Sequence, residues 1–356
     1  MKCGLPLSAL ALVLCVPVTA EAACTPTGYI RDGIDLTAAL INPWKVSGDV
    51  NATGCNIGIY YSPSGPSSAV GRHGHFGGYQ VRNANIHGAN YYGIVNNGVR
   101  VDIENSTISD IGEKPFNGAQ HGVAIYFAFD SAARGDIKNN TIWNYQKGGI
   151  VVNGTDARAD VEGNTVIGLG PVSFIAQNGI QAGYGARVKI ERNFVAGNSY
   201  TGTSTASGGI LLVGGACYGG DPQTNTKVER NTATNNDVGI WFSNLDGTCN
   251  PVATPTKNSA ERNKLVQNAI NNPIYQAGIS DQGNYDEIER NDICGPGYPE
   301  PPTATLFAID VTFTNNPKVK HNTFCEESVW GWPDHHGKRE ARALRAAGTR
   351  TAAPVQ

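Results

Sequence analysis

The sequence predicts an all-β solenoid, short strands wound into stacked coils, on three observations. Composition is the first: 44 glycines, a single methionine and only 16% charged residues among 356 suit a turn-dense β protein better than a helical one. The second is a recurring phrase, Gly-Ile followed by small or apolar residues. It stands at Gly93-Ile94, Gly149-Ile150, Gly179-Ile180, Gly209-Ile210, Gly239-Ile240 and Gly278-Ile279, with near copies at Gly122-Val123 and Ala308-Ile309. The intervals from Gly93 to Ala308 are 29, 27, 30, 30, 30, 39 and 30 residues. The third is an interleaved phrase of asparagine, any residue and an apolar residue, beginning at Asn140, Asn164, Asn193, Asn231, Asn263, Asn291 and Asn322.

Each element follows from these. Runs such as VRVDIE, ARADVE and RVKIER before the asparagines alternate with period two, so each is a strand with one face in and one out. A period near 30 with several such strands per repeat is a solenoid period, in which one coil buries its apolar face only against its neighbours. The asparagines suit a stacked turn in which each amide bonds to backbone and to the asparagine of the next coil. Leucine-rich spacing and four-stranded propeller blades are absent.

On these repeats the chain resembles a right-handed parallel β-helix of the pectin-lyase-like superfamily, over roughly Val50 to Phe324. The expected organisation is a signal peptide over 1–22, an N-terminal cap over 23–49, the β-helix over 50–332 and a basic disordered tail over 333–356. Lys2, the apolar stretch LPLSALALVLCVPVTA and the small residues Ala20 and Ala22 form the signal. DGIDLTAALINP, with Asp32 as cap and Ile34, Leu36 and Leu40 as stripe, reads as a short capping helix. Cys3 and Cys15 leave with the signal. The remaining six cysteines of an exported chain imply disulfides. A separation of 31 or 32 residues is one coil, which pairs Cys217 with Cys249 and Cys294 with Cys325 and leaves Cys24 with Cys55 to tie the cap to the first coil.

The expected protein is a secreted or periplasmic monomer. Its net charge of −3 argues against a nucleic-acid partner, and the apolar run is short for a membrane span. Loops of variable length lead from each asparagine to the next Gly-Ile phrase and carry Tyr145, Phe174, Tyr200, Tyr275 and Tyr298, which makes that sheet the expected binding face. The residues before each phrase align as Gln120-His121, Lys147-Gly148, Gln177-Asn178, Ser207-Gly208, Asp237-Val238 and Gln276-Ala277. Lys147, His121 and Tyr145 are the candidate catalytic residues. Gln120, Tyr126, Gln177, Asn178, Asp237 and Trp241 are the candidate substrate contacts.

Three functions are open. The resemblance implies a lyase acting by β-elimination on a uronate-containing polysaccharide, with Lys147 as base and His121 or Tyr145 as acid. A glycoside hydrolase needs two flanking carboxylates, from Asp237, Asp310, Asp110, Glu113 or Asp246. A non-catalytic carbohydrate-binding or surface-interaction solenoid needs neither. The QHG at Gln120 resembles the Gly-His-Gly turn of polygalacturonases, but the paired aspartates of that family are absent. No cofactor is implied; calcium stays open because calcium-dependent pectate lyases cluster acids, and Asp281, Asp286 and Glu287 are neighbours here. His73 and His75 lack a third metal ligand, and His335 and His336 read as a solvated pair. Arg100, Arg134, Arg158 and Arg187 form a column that flanking Asp102, Asp136, Asp160, Glu104, Glu162 and Glu191 are expected to neutralise by salt bridges.

Overall fold

The computed structural model describes residues 23–64, 78–129, 131–325 and 339–340. The signal segment, His73, His75, His335 and His336 lie outside them. The chain winds as a parallel β-helix. One sheet has eleven strands, running through Ile57–Tyr61, Tyr92–Asn96, Val123–Phe127, Gly148–Asn153, Asn178–Gly183, Gly208–Gly214, Val238–Asn244, Gln276–Gln282 and Leu306–Asp310. A second sheet covers the other two sides of each coil. Arg158–Glu162, for example, turns at Gly163-Asn164 into Thr165–Ile167.

The Gly-Ile phrase marks the inward face of the eleven-stranded sheet. Ile94, Ile125, Ile150, Ile180, Ile210, Ile240 and Ile279 stack on consecutive coils with no exposed surface. Every one except Ile125, which follows Ala124, is preceded by a glycine, and at these glycines a side chain has little room. A Cβ on Gly179 would lie 2.3 Å from Val195 Cγ1 and 2.6 Å from the Gly209 carbonyl oxygen, and one on Gly149 would lie 2.4 Å from Val166 Cγ1. At this point the first sheet approaches the apolar residues of the opposite wall. The stacking also corrects one copy of the phrase. Ile94 pairs with Ile125, so Ala124-Ile125 is the true repeat and Gly122-Val123 lies two residues early. His121 therefore leaves the column of Lys147.

The asparagines form a continuous ladder. Asn164 Oδ1 accepts both the backbone N–H and the side-chain amide of Asn140, each at 3.0 Å, while its own amide donates to the Ile137 carbonyl at 2.8 Å. The same three bonds recur through Asn193, Asn231, Asn263, Asn291 and Asn322, all at most 2% exposed. Before each ladder residue stands one in the left-handed region: Asn139, Gly163, Arg192, Arg230, Arg262, Arg290 and His321.

The N-terminal segment is a hairpin, not a helix. Asp32 and Gly33 both have positive φ, 50° and 77°, the geometry of a two-residue hairpin turn. Leu36 and Ala38 are buried with Thr37 between them half-buried, which is period two. Ile34–Ile41 continues the sheet in parallel with Ile57–Tyr61, and Thr25–Arg31 closes it with an antiparallel pairing. The expected disulfides Cys24–Cys55, Cys217–Cys249 and Cys294–Cys325 are present and fit an oxidising compartment.

Replacing Gly179 by Ala should lower unfolding free energy in urea by about 1–3 kcal/mol, since backbone on one side and Val195 on the other leave no direction of relief. Asn193→Ala should cost at least as much, because the backbone and side-chain donors of Asn164 lose a buried acceptor at about 1–3 kcal/mol for an orphaned group. An unchanged midpoint in either variant would contradict the register described here.

Candidate functional site: the outer face of the eleven-stranded sheet

Outward-pointing residues of this sheet fall into rows along the solenoid, with rungs about 4.8 Å apart. One row reads Tyr92, Val123, Gly148, Asn178, Gly208, Val238, Ala277 and Phe307; the next reads Val95, Tyr126, Val151, Gln181, Leu211, Trp241, Ser280 and Asp310. Both ends are aromatic. Towards the N-terminus, Tyr92 stacks on Tyr126 with ring centres 5.1 Å apart, and Tyr29 of the hairpin reaches the same cluster, 5.8 Å from Tyr60. Towards the C-terminus, Trp241, Tyr275 and Phe307 form a second cluster. Between them the rows thin to Gly148, Asn178, Gly208 and Gln181. Gln181 is half-buried and donates to Asn153 Oδ1 at 3.2 Å. The result is a short polar saddle between two aromatic shoulders. Phe129 and Tyr184 meet edge to face at 5.2 Å beside it.

Lys147 precedes the first strand of the saddle. It is half-buried, and Nζ donates to the Ala176 carbonyl at 3.0 Å. Burial pushes its pKa down to about 8. His121 is buried, stacks on the Tyr91 ring at 3.7 Å, and its Nε2 lies 3.0 Å from Glu113 Oε1. The two reach the same edge from adjacent coils, since Lys147 N–H bonds to the carbonyl of Gly122. Asn178 lies on the floor, its Oδ1 accepting the Gly208 N–H at 3.0 Å. Gln120 is exposed on the loop above, its amide on the Gly118 carbonyl.

Four candidates are turned to other work. Tyr145 is fully buried in the core; its hydroxyl donates to Asn198 Oδ1 at 2.6 Å and burial pushes its pKa up, so it reaches no substrate. Gln177 is also fully buried, donating to the Tyr145 and Gln146 carbonyls and accepting from Leu169 N–H. Asp237 is buried and accepts from Ser199 Oγ, Tyr200 N–H and Ser207 N–H, with its pKa raised to about 6 by burial. These residues brace the loops against the coil. Trp241 is 1% exposed, with Nε1 on Gln282 Oε1 at 3.1 Å, and supports the shoulder from beneath. Tyr126, 6% exposed, contributes only its edge to the face. Gln181, Asn153, Phe129 and Tyr184 were missed. Their one sequence signal is a position two or four residues after a glycine or apolar residue already placed in a strand.

Among the described residues no two carboxylates meet on this face, as a hydrolase pair would require. Asp310 accepts from Tyr275 and Thr312 hydroxyls, Asp110 lies in the strand Thr107–Ile111 and pairs with Lys114 at 3.5 Å, and Asp246 accepts from Thr248 and Asn250 in a turn. The acids near Asp281 separate: Glu287 faces outward to Lys320 at 2.8 Å, whereas Asp281 and Asp286 meet inside the coil. Asp286 Oδ1 accepts from Thr256 Oγ1 and Asn258 N–H, both at 2.6 Å. Its Oδ2 has no hydrogen-bond partner other than Asp281, which itself accepts from Gly283 N–H and Thr314 Oγ1. Burial and the neighbouring Asp281 charge push the Asp286 pKa up to about 9, so the pair shares a proton at neutral pH. No group of three or more His, Cys, Asp or Glu side chains converges as a metal cage among the described residues.

The family model described as "Right handed beta helix region" matches residues 70–252, just over half of the chain. The chain belongs to that right-handed β-helix family. A solved structure titled "Crystal structure of Dettilon tailspike protein (gp208)" is similar at 13% identity and a TM-score of 0.37, over 79% of this chain and 61% of that one. The chain thus spans less than two thirds of the tailspike. No curated protein matches.

The Asp281–Asp286 pair sets a pH dependence. A carboxyl whose folded pKa is raised stabilises the fold at low pH and loses that contribution as pH rises through the folded value. Stability should therefore fall between the ordinary carboxylate range, near 3.8, and about 9. Asp286→Asn keeps both accepted hydrogen bonds and supplies its own donor to Asp281. Its urea midpoint should fall less than the wild type's from about pH 5 to about pH 9; equal slopes would show that the pair does not share a proton.

Proposed function

We propose that the chain is an exported, monomeric, polysaccharide-acting enzyme that cleaves a uronate-containing chain by β-elimination along this face. The observation that carries the proposal is Lys147. Burial pulls its pKa down to about 8, and it stands beside the polar saddle between aromatic shoulders. Lysine is a poor base in water because its ordinary pKa, 10.5, keeps it charged; burial removes that obstacle.

The chemistry divides as follows. Sugar rings lie along the sheet, against the rims of Tyr126 and Tyr184, with Asn178 and Gln181 bonding to hydroxyls. Neutral Lys147 takes the proton from C5 of the uronate. The electron pair of that C–H bond forms the C4–C5 double bond, and the glycosidic C4–O bond breaks. His121, held by Glu113, gives a proton to the leaving oxygen. The absence of a carboxylate pair on the face among the described residues makes hydrolysis the poorer fit.

A second reading is binding without turnover. It is favoured by the Lys147–Ala176 bond, which resembles the loop braces of Gln177 and Asp237. The experiment that separates the two is incubation with acidic and neutral polysaccharides, with and without calcium. Ultraviolet absorbance from an unsaturated uronate shows elimination; retention of the polymer with no product shows binding alone.

Lys147→Met should abolish elimination while the thermal midpoint stays within a few degrees, since a half-buried surface lysine contributes little. The wild-type rate should rise as pH passes through about 8, where the amine becomes neutral. The stability sign is also fixed: a lysine with a lowered pKa binds its proton less tightly when folded, so stability falls as pH drops from 10.5 through about 8, and the variant lacks that slope. A variant with intact turnover and lost stability would make Lys147 a brace and end the lyase reading.

A further inference from the structure

The arginine column lies on a different side of the solenoid. Arg134, Arg158 and Arg187 are direct Cα partners on three consecutive strands, and all are exposed. The salt bridges expected to neutralise the column form at only one of its members. Arg100 takes Asp102 at 3.1 Å and Asp136 at 3.5 Å. Among the described residues Arg134, Arg158 and Arg187 have no carboxylate within ion-pair distance, although Asp160 stands one row away on the same face. The arginines and lysines at the far edge of this sheet behave differently. Arg192, Arg230, Arg262, Arg290 and Lys320 each hold a glutamate.

Three like charges stacked at about 4.8 Å repel one another. Their natural remedy is a carboxylate at the neighbouring position: Arg100 is paired in that way, Arg134 and Arg158 have Asp136 and Asp160 one row away without an ion pair, and Arg187 has Lys189 there instead.

The column also leads somewhere. Further along the same sheet, one row over from the arginines, the register runs Lys189↔Lys227↔Ser259↔Glu287↔Lys318, and Asn225, Lys257 and Tyr285 stand two residues before its later members in left-handed turns. These three border a hollow of about 370 Å³ that also exposes Lys227 and Lys318. Ser259, between Lys227 and Glu287, is the small residue that opens it. The glutamates of the hollow are already engaged, Glu287 by Lys320 at 2.8 Å and Glu261 by Arg262 at 3.5 Å. Lys227, Lys257 and Lys318 have no carboxylate partner among the described residues, and Tyr285 is 45% exposed.

We infer that this column and hollow form an axial binding track for an anionic polysaccharide, separate from the sheet face where cleavage is proposed. A chain lying along the solenoid axis adds about one pyranose per rung, so a polymer with one anion per sugar meets one guanidinium per rung. Arginine pairs with planar carboxylates through two parallel hydrogen bonds. Tyr285 offers its ring to a sugar at the end of the track, among the lysines of the hollow. The spacing favours an extended acidic glycan over a nucleic acid, whose charges neither lie along one straight line nor repeat at the rung distance. The track holds the polymer to the solenoid and needs no chemistry of its own. The polymer class is shared with the proposed function, but the geometry that supports the track is not.

The test uses the full chain carrying Lys147→Met, so that polymer is not consumed, and adds Arg134→Gln, Arg158→Gln and Arg187→Gln together. Affinity for polygalacturonate is read by titration calorimetry, with heparin, amylose, double-stranded DNA and phosphatidylserine vesicles as comparators. Polygalacturonate affinity should fall about tenfold or more with a shallower salt dependence, amylose should not respond, and the thermal midpoint should hold or rise as the repulsion is relieved. Should the triple variant lose its fold, Arg158→Gln alone should weaken binding about threefold with the midpoint intact. Unchanged polygalacturonate affinity, or losses confined to DNA or to vesicles, overturns the track. Failure of elimination alone leaves it standing: wild-type chain that produces no unsaturated uronate but still loses polymer on the arginine substitutions supports the track and discards only the lyase reading.

Discussion

Parallel pairing between successive coils sets one rung distance for the whole molecule, and every recurring device is an answer to what that distance imposes. Identical positions are brought within contact on all coils at once. A buried polar group therefore meets its own copy above and below. Asparagine suits that arrangement because one amide both donates and accepts, so the copies satisfy each other in a chain. Isoleucine suits it because a branched side chain stacks on itself without gaps. Charge does not suit it, which is why the stacked glutamates Glu162, Glu191, Glu229, Glu261 and Glu289 are met by arginines from the adjoining turn. The unrelieved arginines depart from this rule.

What could be read in the sequence is what the rung distance dictates. The ladder, the Gly-Ile contact and the three disulfides recur at one coil's spacing, and a single sequence displays them. The errors came where one residue type serves two geometries. Asp32-Gly33 reads equally as a helix cap and as a hairpin turn, and the alternation of Leu36 and Ala38 decides for the second. Gly122 imitates the phrase glycine, but at Ala124 a methyl is tolerated, so the true copy has lost its marker. Glutamine and aspartate before a strand look alike whether they face a sugar or a loop backbone. Gln177 and Asp237 take the second role because the long loops beside them have many N–H and carbonyl groups to satisfy. Lys147 occupies the same row and combines both features, a backbone contact and a half-open position.

The two faces differ in kind. On the eleven-stranded sheet, outward side chains are mostly buried beneath loops and the N-terminal hairpin, so polarity there is sparse and each group is placed by several partners. On the other, long side chains stand in solvent and are placed by register and by ion pairs along it. The first is suited to placing a few groups closely, the second to presenting many charges along the axis. Among the described residues no helix is long and apolar enough to cross a membrane.

The disulfides have a mechanical consequence. Each joins neighbouring coils: Cys24–Cys55 at the first, Cys217–Cys249 and Cys294–Cys325 towards the last. A stack of coils held only by nearest neighbours unravels like a spring pulled from its tips, losing one loop of wire at a time. Staples at both ends forbid that peeling. The longest stretch without a staple, from Asn56 to Ala216, contains Lys147, the polar saddle and the three arginines without ion pairs. Strain or heat applied to this protein is delivered to its middle, so the region that carries Lys147 and the polar saddle is also the first to give.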